Sequence, residues 1–349
     1  MQRSNRRPGI LGPGVGDALL AAAAFGCATP FAKRIGDGVN PQLFAGLLYL
    51  GSGLVLTASL VFRGREASLR RSDAPAMAGA VLFGGVVAPV LLMVGLRTTP
   101  AASASLLLNL EAVLTVLGAW LIAREHADKR IVLGMVVIVA GGLLLSVSGD
   151  GRLAFSFGAV SIAGACLCWA IDNVVTRPLS VRDPRQIAAV KGVVAGTANV
   201  SLGLLTGGHL PSTPKVVGAV VIGFIGYGLS LVLYVRAMRQ LGTARTGAYY
   251  AAAPFVGAAV ALVWLREPVG RYFVPALILM AIGLAIHLRE NHSHDHVHIQ
   301  MTHDHGHDHL DEHHAHTDEV PPGSLSHTHD DETHGHGHTP DQHHQHDHR

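Results

Sequence analysis

Charge is scarce in this sequence: Asp, Glu, Lys and Arg make up 14% of its 349 residues, and aromatic residues only 5%. So few charges cannot clothe a soluble domain of this length in polar surface. Cysteine is scarcer still. Cys27, Cys166 and Cys168 all fall inside apolar runs, which excludes a disulfide framework. No glycine-rich phosphate loop, nucleophile triad or soluble catalytic domain is visible, so an enzyme is not expected.

The few charges are unevenly placed. Residues 291–349 hold 20 of the 23 histidines and 12 of the 24 acidic residues, with Arg349 as their single basic residue. The first 290 residues carry 25 basic and 12 acidic groups, a formal +13, against −11 for the tail. The overall +2 is a cancellation and gives no reason to expect a nucleic-acid partner. Nearly all of the apolar 49% therefore lies before residue 291.

A bilayer core of roughly 30 Å takes about 20 apolar residues as a helix. Runs of that size recur at 17–35, 42–62, 75–95, 100–122, 131–148, 157–176, 186–206, 216–237, 243–265 and 272–289. Arg3, Arg6 and Arg7 ahead of the first run resemble a signal peptide, but Pro30, Lys33 and Arg34 make a poor cleavage context. That run is read as a retained helix whose terminal cations snorkel. With the N-terminus placed inside, the short cytoplasmic loops collect 18 Lys and Arg and the opposite loops seven. The bias places both termini in the cytoplasm of a cell-membrane protein.

A repeat is superimposed on these runs. At an offset of 142 residues, Gly95 falls on Ala237, Arg97 on Arg239, Ala102 on Ala244, Arg124-Glu125 on Arg266-Glu267 and Gly141 on Gly283. Five helices per half is an odd number, so the halves must insert with opposite orientation. Such inverted repeats build a solute site near the midplane and open it alternately to either side. The expected fold is all-α: about ten transmembrane helices in two inverted five-helix repeats, followed by a disordered tail. The expected boundaries are a cytoplasmic segment 1–16, repeats at 17–148 and 157–289, and the tail at 290–349.

The twice-repeated pattern has a recognisable form. It reads Ser103-Ala-Ser-Leu-Leu-Leu-Asn-Leu-Glu111, Arg124-Glu125, Gly134 and Gly141-Gly142, then Gly247-Ala-Tyr-Tyr-Ala-Ala-Ala-Pro254, Arg266-Glu267-Pro268 and Gly283. This resembles the EamA-type permeases of the drug/metabolite transporter superfamily over about residues 15–289. The resemblance implies ten helices, two inverted halves, a central cavity for a small metabolite or drug, and export more often than import. One departure is plain: Glu111-Ala112 stands where the second half has Ala253-Pro254.

Ionisable groups inside a bilayer cost roughly 3 kcal/mol each and are functional candidates by default. Glu111 lies about ten residues into its run, roughly 15 Å deep at 1.5 Å per residue. It is the candidate for proton coupling or solute binding; alternatively Asn109 or a backbone carbonyl holds it permanently neutral. Asp172 and Lys191 flank one short loop at similar depth and are expected to form an ion pair, structural or part of a cytoplasmic gate, with Asn173 beside them. Trp169, Tyr227, Tyr234, Tyr249 and Tyr250 are candidates to line the cavity or simply to pack between helices. Cys166 and Cys168 are two apart, about 200° round a helix, and cannot face one metal; they read as small apolar side chains. Pro30, Pro89 and Pro254 predict bends, and Gly192-x-x-x-Gly196 a close helix contact.

The tail alternates imidazole with acidic or small residues: His292, His294, His296 and His298; His303, His305, His307 and His309; His334, His336 and His338. Neutral imidazole is a favoured ligand for zinc, nickel, cobalt and copper. Low hydrophobicity and high charge predict an unfolded segment. No cofactor is required. The partners read from the sequence are a small-molecule solute, the bilayer and divalent metal at the tail; a homodimer is left open. The leading function is a solute exporter. Two rivals are efflux of nickel, cobalt or zinc with the tail as collector, and a membrane-anchored metal sensor or store.

Overall fold

The computed structural model describes residues 14–60, 68–122, 129–147, 156–176, 178–179, 182–241 and 243–287, with the backbone of four short stretches further on. The first half runs α1 (Val15–Gly36), α2 (Pro41–Leu60), α3 (Ala74–Gly79), a π-helical segment (Ala80–Val87), α4 (Ala88–Thr98), α5 (Ala101–Leu107), α6 (Asn109–Ile122) and α7 (Lys129–Leu145). The second runs α8 (Phe157–Thr176), α9 (Pro184–Leu205), α10 (Thr213–Ile222), a π-helical segment (Gly223–Leu229), α11 (Ser230–Leu241), α12 (Thr243–Tyr250), α13 (Ala253–Val263) and α14 (Phe273–His287). Shifting the first set by 142 residues lays it on the second element by element, the π-helical segments included.

Among the described residues seven helical stretches are long and apolar enough to cross a membrane, and three shorter apolar helices, within Val132–Leu145, Ala253–Val263 and Phe273–Ile286, accompany them. Leu20, Leu54, Leu82, Val136, Phe157, Val263 and Trp264 point outward and are exposed. Apolar outer faces on helices with internally satisfied backbones are what lipid demands. The chain is a multi-pass membrane protein.

Small residues set how the helices meet. A side chain at Gly46 would strike Val200 and Gly196, one at Gly53 would strike Gly192 and Val193, and one at Gly203 would strike Leu43. Numbers rise along α2 as they fall along α9, so these repeat-equivalent helices pack antiparallel. The pair α7 and α14 does the same, with Gly141 against Ala276 and Met280, and Gly283 against Gly134 and Ile138. The Gly192-x-x-x-Gly196 spacing is thus part of a backbone-to-backbone seam. Gly196→Val is expected to cost about 1–3 kcal/mol or more by overpacking, since its Cβ would sit 2.6 Å from the Leu50 amide nitrogen. A lowered thermal unfolding midpoint of the purified protein in detergent checks this.

Two of the expected spans are broken. Between α5 and α6 the chain turns at Leu108, and between α12 and α13 at Ala251–Ala252. In the second break Pro254 follows directly, near the start of α13. The first break has no proline. There Asn109 Nδ2 donates to the Leu106 carbonyl at 2.8 Å, competing for a backbone acceptor of the helix. The third span is continuous but π-wound around Gly84-Gly85, and Pro89 follows within the first turn of α4.

In the tail, the described backbone comprises β1 (His292–His298), β2 (Met301–Asp304), β3 (Ser326–His329) and β4 (Glu332–His338). β1 pairs antiparallel with β4, and β2 with β3. The side chains of the candidate metal-ligating histidines lie outside the described residues.

Candidate functional site

The charged groups converge where α6, α8 and α9 meet the first π-helical segment. Glu111 sits in the first turn of α6, just after the break at Leu108. Asn173 Nδ2 donates to Glu111 Oε1 at 3.1 Å and to Thr115 Oγ1 at 3.2 Å. Asn173 is therefore the partner of Glu111 rather than of the neighbouring ion pair. Asn109 turns the other way, its amide on the Leu106 carbonyl and 4.0 Å from Met280 Sδ. Two residues apart on a helix point to opposite sides, so Asn109 and Glu111 cannot share a face.

Lys191 Nζ donates to Asp172 Oδ2, joining α9 to α8 as the sequence predicts. Asp172 is only 5% exposed and the Lys191 side chain 18%, so the pair is largely shielded from solvent. Gly84 lies directly against it: a Cβ there would collide with both the Asp172 carboxylate and the Lys191 ammonium. The π-winding frees carbonyls from the regular ladder, and side chains from three helices satisfy them. Tyr49 Oη and Trp169 Nε1 both donate to the Gly84 carbonyl, at 2.6 and 3.1 Å. Asn199 Nδ2 reaches the Gly85 and Val86 carbonyls at 3.2 and 3.3 Å. Trp169, a candidate either to line the cavity or to pack between helices, is buried and makes this contact.

A run of rings extends from there. Tyr49 lies 5.4 Å from Tyr227 between centroids, Tyr227 lies 5.9 Å from Phe25, Phe25 5.8 Å from Tyr250, and Tyr250 4.9 Å from Tyr234. Tyr227, Tyr234 and Tyr250 are half-buried, as is Tyr249 one residue along α12. Beside Phe25 a small cleft is lined by Gly26, Thr29, Ser105, Leu108, Ala253 and Pro254, which puts both helix breaks against α1. Cys166 is buried with Sγ 3.7 Å from the Leu107 carbonyl, and Cys168 is half-buried. Among the described residues no three His, Cys, Asp or Glu side chains gather as a metal site.

Ion pairs tie both ends of the bundle. Lys33 Nζ lies 3.1 Å from Glu267 Oε1 and donates to the Thr99 carbonyl at 2.6 Å, while Glu267 Oε2 accepts from the Ala102 amide at 3.2 Å. At the other end Arg182 meets Asp73 at 2.9 Å and Arg236 meets Asp17 at 3.2 Å. Lys33 is thus a latch between α1, α5 and the α13–α14 connection, where the sequence suggests only snorkelling. Phe25, Tyr49, Thr115 and Asn199 were not legible as site residues either; the one local signal was the Gly84-Gly85 pair in an apolar run.

The sequence profile of the EamA-like transporter family matches this chain twice, over residues 12–147 and 156–289. The chain belongs to the EamA-like transporter family. An uncharacterized transporter of Methanothermobacter thermautotrophicus is 32% identical to this EamA-like transporter over 212 residues, 58% of this chain and 61% of that protein. A probable terminal-alkyne amino-acid exporter of Streptantibioticus cattleyicolor is 28% identical over 222 residues, 62% of this chain and 72% of that one. The uncharacterized inner membrane transporter YedA of Escherichia coli K12 is 22% identical over 243 residues, 68% of this chain and 79% of its own length. A solved protein structure shares the fold, at a TM-score of 0.60 and 20% identity over 78% of this chain and 95% of its own.

Proposed function

We propose that this EamA-like transporter is a secondary-active exporter of a small organic solute, working by alternating access between two inverted five-helix halves, with Glu111 carrying the coupling proton. The observation that carries the reading is the antiparallel packing of repeat-equivalent helices, α2 on α9 and α7 on α14. Such pairing follows when one half is turned over relative to the other. The ten apolar stretches and the ion-paired ends of the bundle support the same architecture. Glu111 is suited to its part because, among the described residues, it is the carboxylate without a paired ammonium at the centre, held by neutral Asn173, whose amide also donates to Thr115. The Asp172–Lys191 pair balances charge beside the π-helical segment. A metal cargo is less well supported, since no three His, Cys, Asp or Glu side chains gather among the described residues, and a dehydrated divalent ion needs several ligands together.

Both termini are placed in the cytoplasm by the Lys and Arg bias. Single cysteines introduced near each end, in a variant lacking Cys27, Cys166 and Cys168, test this: labelling of intact cells by a membrane-impermeant maleimide should fail at both. Labelling at one end only sinks the inverted arrangement. The tail is read as an accessory metal binder, so truncation after Glu290 should abolish nickel binding by calorimetry. Nickel bound equally by the truncated protein would move the metal site into the membrane domain.

A further inference from the structure

The repeat supplies both ends of the bundle with the same elements, yet the ends are packed differently. At one end Ala101, Ala102 and Leu106 of α5 share a buried cluster with Ala258 and Ala261 of α13 and Phe273 and Met280 of α14. The corresponding cluster joins Val113 and Val116 of α6 to Met135 and Ile138 of α7, with no described residue of α12. Instead α12 places the Tyr250 ring against Phe25 of α1 and Tyr234 of α11. Single positions at the repeat offset show the same contrast. Ser105 of α5 is buried, and its Oγ would lie 2.7 Å from a Cβ added to Gly257 of α13. A Cβ added to its counterpart, Gly247 of α12, would meet no described atom within 4 Å. Thus α5 is shut against α13, while among the described residues α12 stands off α6.

Glu267 fastens the shut end. It follows Arg266, whose φ of 50° is a left-handed backbone that a non-glycine residue keeps only where its surroundings impose it. One Glu267 oxygen lies 3.1 Å from Lys33 Nζ, and the other accepts from the Ala102 amide at 3.2 Å. Lys33 also donates to the Thr99 carbonyl at 2.6 Å, so one pair ties α1 and the start of α5 to the second half. Close by in sequence, Phe31 and Trp264 stand edge to face with centroids 6.2 Å apart. In the other half Val175 takes the place of Lys33 and has no charge to offer. The ion pairs at that end, Arg236 with Asp17 and Arg182 with Asp73, involve neither α6 nor α12.

We propose that the Lys33–Glu267 pair is the gate of the outer face, holding α5 against α13 until its charges part. The face is the one that the Lys and Arg bias assigns. This rests on the alternating-access reading above and names the residues that keep one side shut. On that reading the halves exchange their packing, so the approach of Ser105 to Gly257 gives way to its counterpart, Gly247 to Thr115. Thr115 shares the Asn173 amide with Glu111, so α12 then closes beside the coupling carboxylate. Lys33 and Glu267 are positioning residues, since neither has to touch the solute.

Two reaction rates test the gate without knowledge of the solute, on full-length protein lacking Cys27, Cys166 and Cys168 in lipid nanodiscs. Labelling of Ser105→Cys by a membrane-impermeant maleimide reads opening of the outer end. Disulfide formation by diamide between Gly247→Cys and Thr115→Cys reads closing of the inner end. Both should be slow in the parent, where the exchanged state holds about a tenth of the molecules or fewer. Lys33→Met should raise both rates about tenfold, the shift expected when a charge-assisted hydrogen bond is lost from one of two states. Glu267→Gln should act likewise while keeping an acceptor for the Ala102 amide, and it stands in should Lys33→Met fail to fold. Lys33→Arg keeps the cation and should leave both rates near those of the parent. Fast Ser105→Cys labelling in the parent, or no rise in it with either variant, overturns the gate and leaves the transport reading untouched. Faster labelling without faster disulfide formation keeps the gate and sinks the exchange of halves on which that reading depends.

Discussion

Glu111→Gln should lower solute-coupled proton movement by on the order of a hundredfold or more, the scale of losing a group that transfers a proton, with little change in stability. Glutamine has the shape of glutamate and keeps an oxygen for the Asn173 amide, which in the native protein donates to Glu111 Oε1 at 3.1 Å. The contacts survive while the site of protonation is lost. Glu111→Asp keeps the acid but withdraws it from Asn173, and should retain part of the activity. The measurement that does not depend on knowing the solute is infrared difference spectroscopy across a pH titration. The wild type should show a protonated-carboxyl band that is missing from Glu111→Gln. A band that persists in the variant would assign the proton to Asp172, and unchanged proton movement would leave Glu111 as a structural acid.

The fold was legible because its two strongest signals are one-dimensional. Apolar runs and a repeat offset can be counted along the chain, and the elements, π-helical segments included, recur at the offset of 142 that the Arg-Glu and Gly matches give. The ion pair was legible for a related reason: Asp172 and Lys191 flank one short connection, so their depths are tied together. What escaped depends on rotation about helix axes. Glu111 has Asn173 rather than Asn109 as its partner because residues two apart diverge by about 200° on a helix. The contribution of Phe25 and Tyr49 requires α1 and α2 to face the second half, which no local pattern states. The π-winding shows only as Gly84-Gly85, a pair found equally in ordinary close packing.

The repeat also explains why the site is not itself symmetric. At the same offset Lys191 occupies the position of Tyr49, Glu111 that of Ala253, and Asp172 that of Pro30. Tyr49 and Lys191 both approach the first π-helical segment from equivalent places on α2 and α9, one offering a hydroxyl to the Gly84 carbonyl and the other a charge to Asp172. A common scaffold thus carries a ring and an ammonium at matching positions. The two halves keep the same packing and have diverged in the chemistry they bring to the centre.

That divergence makes the ion pair the most sensitive point of the scaffold. Lys191→Met should cost about 3–5 kcal/mol, because it leaves a buried charge uncompensated. Asp172 is 5% exposed and its second oxygen has no hydrogen-bond partner among the described residues, so the lysine is its main source of compensation. Gly84 offers no relief, since its backbone is pressed against both charges. Combining Lys191→Met with Asp172→Asn removes both charges, and the double variant should recover most of the loss, as replaced buried pairs commonly do. Thermal unfolding of the two single variants and the double variant closes the cycle, and the coupling between the sites is the quantity to read. Recovery of stability together with solute flux identifies the pair as a charge-balancing brace. Recovery of stability without flux makes the same two residues part of the moving gate, and a double variant no better than Lys191→Met alone would show that the two charges do not depend on each other.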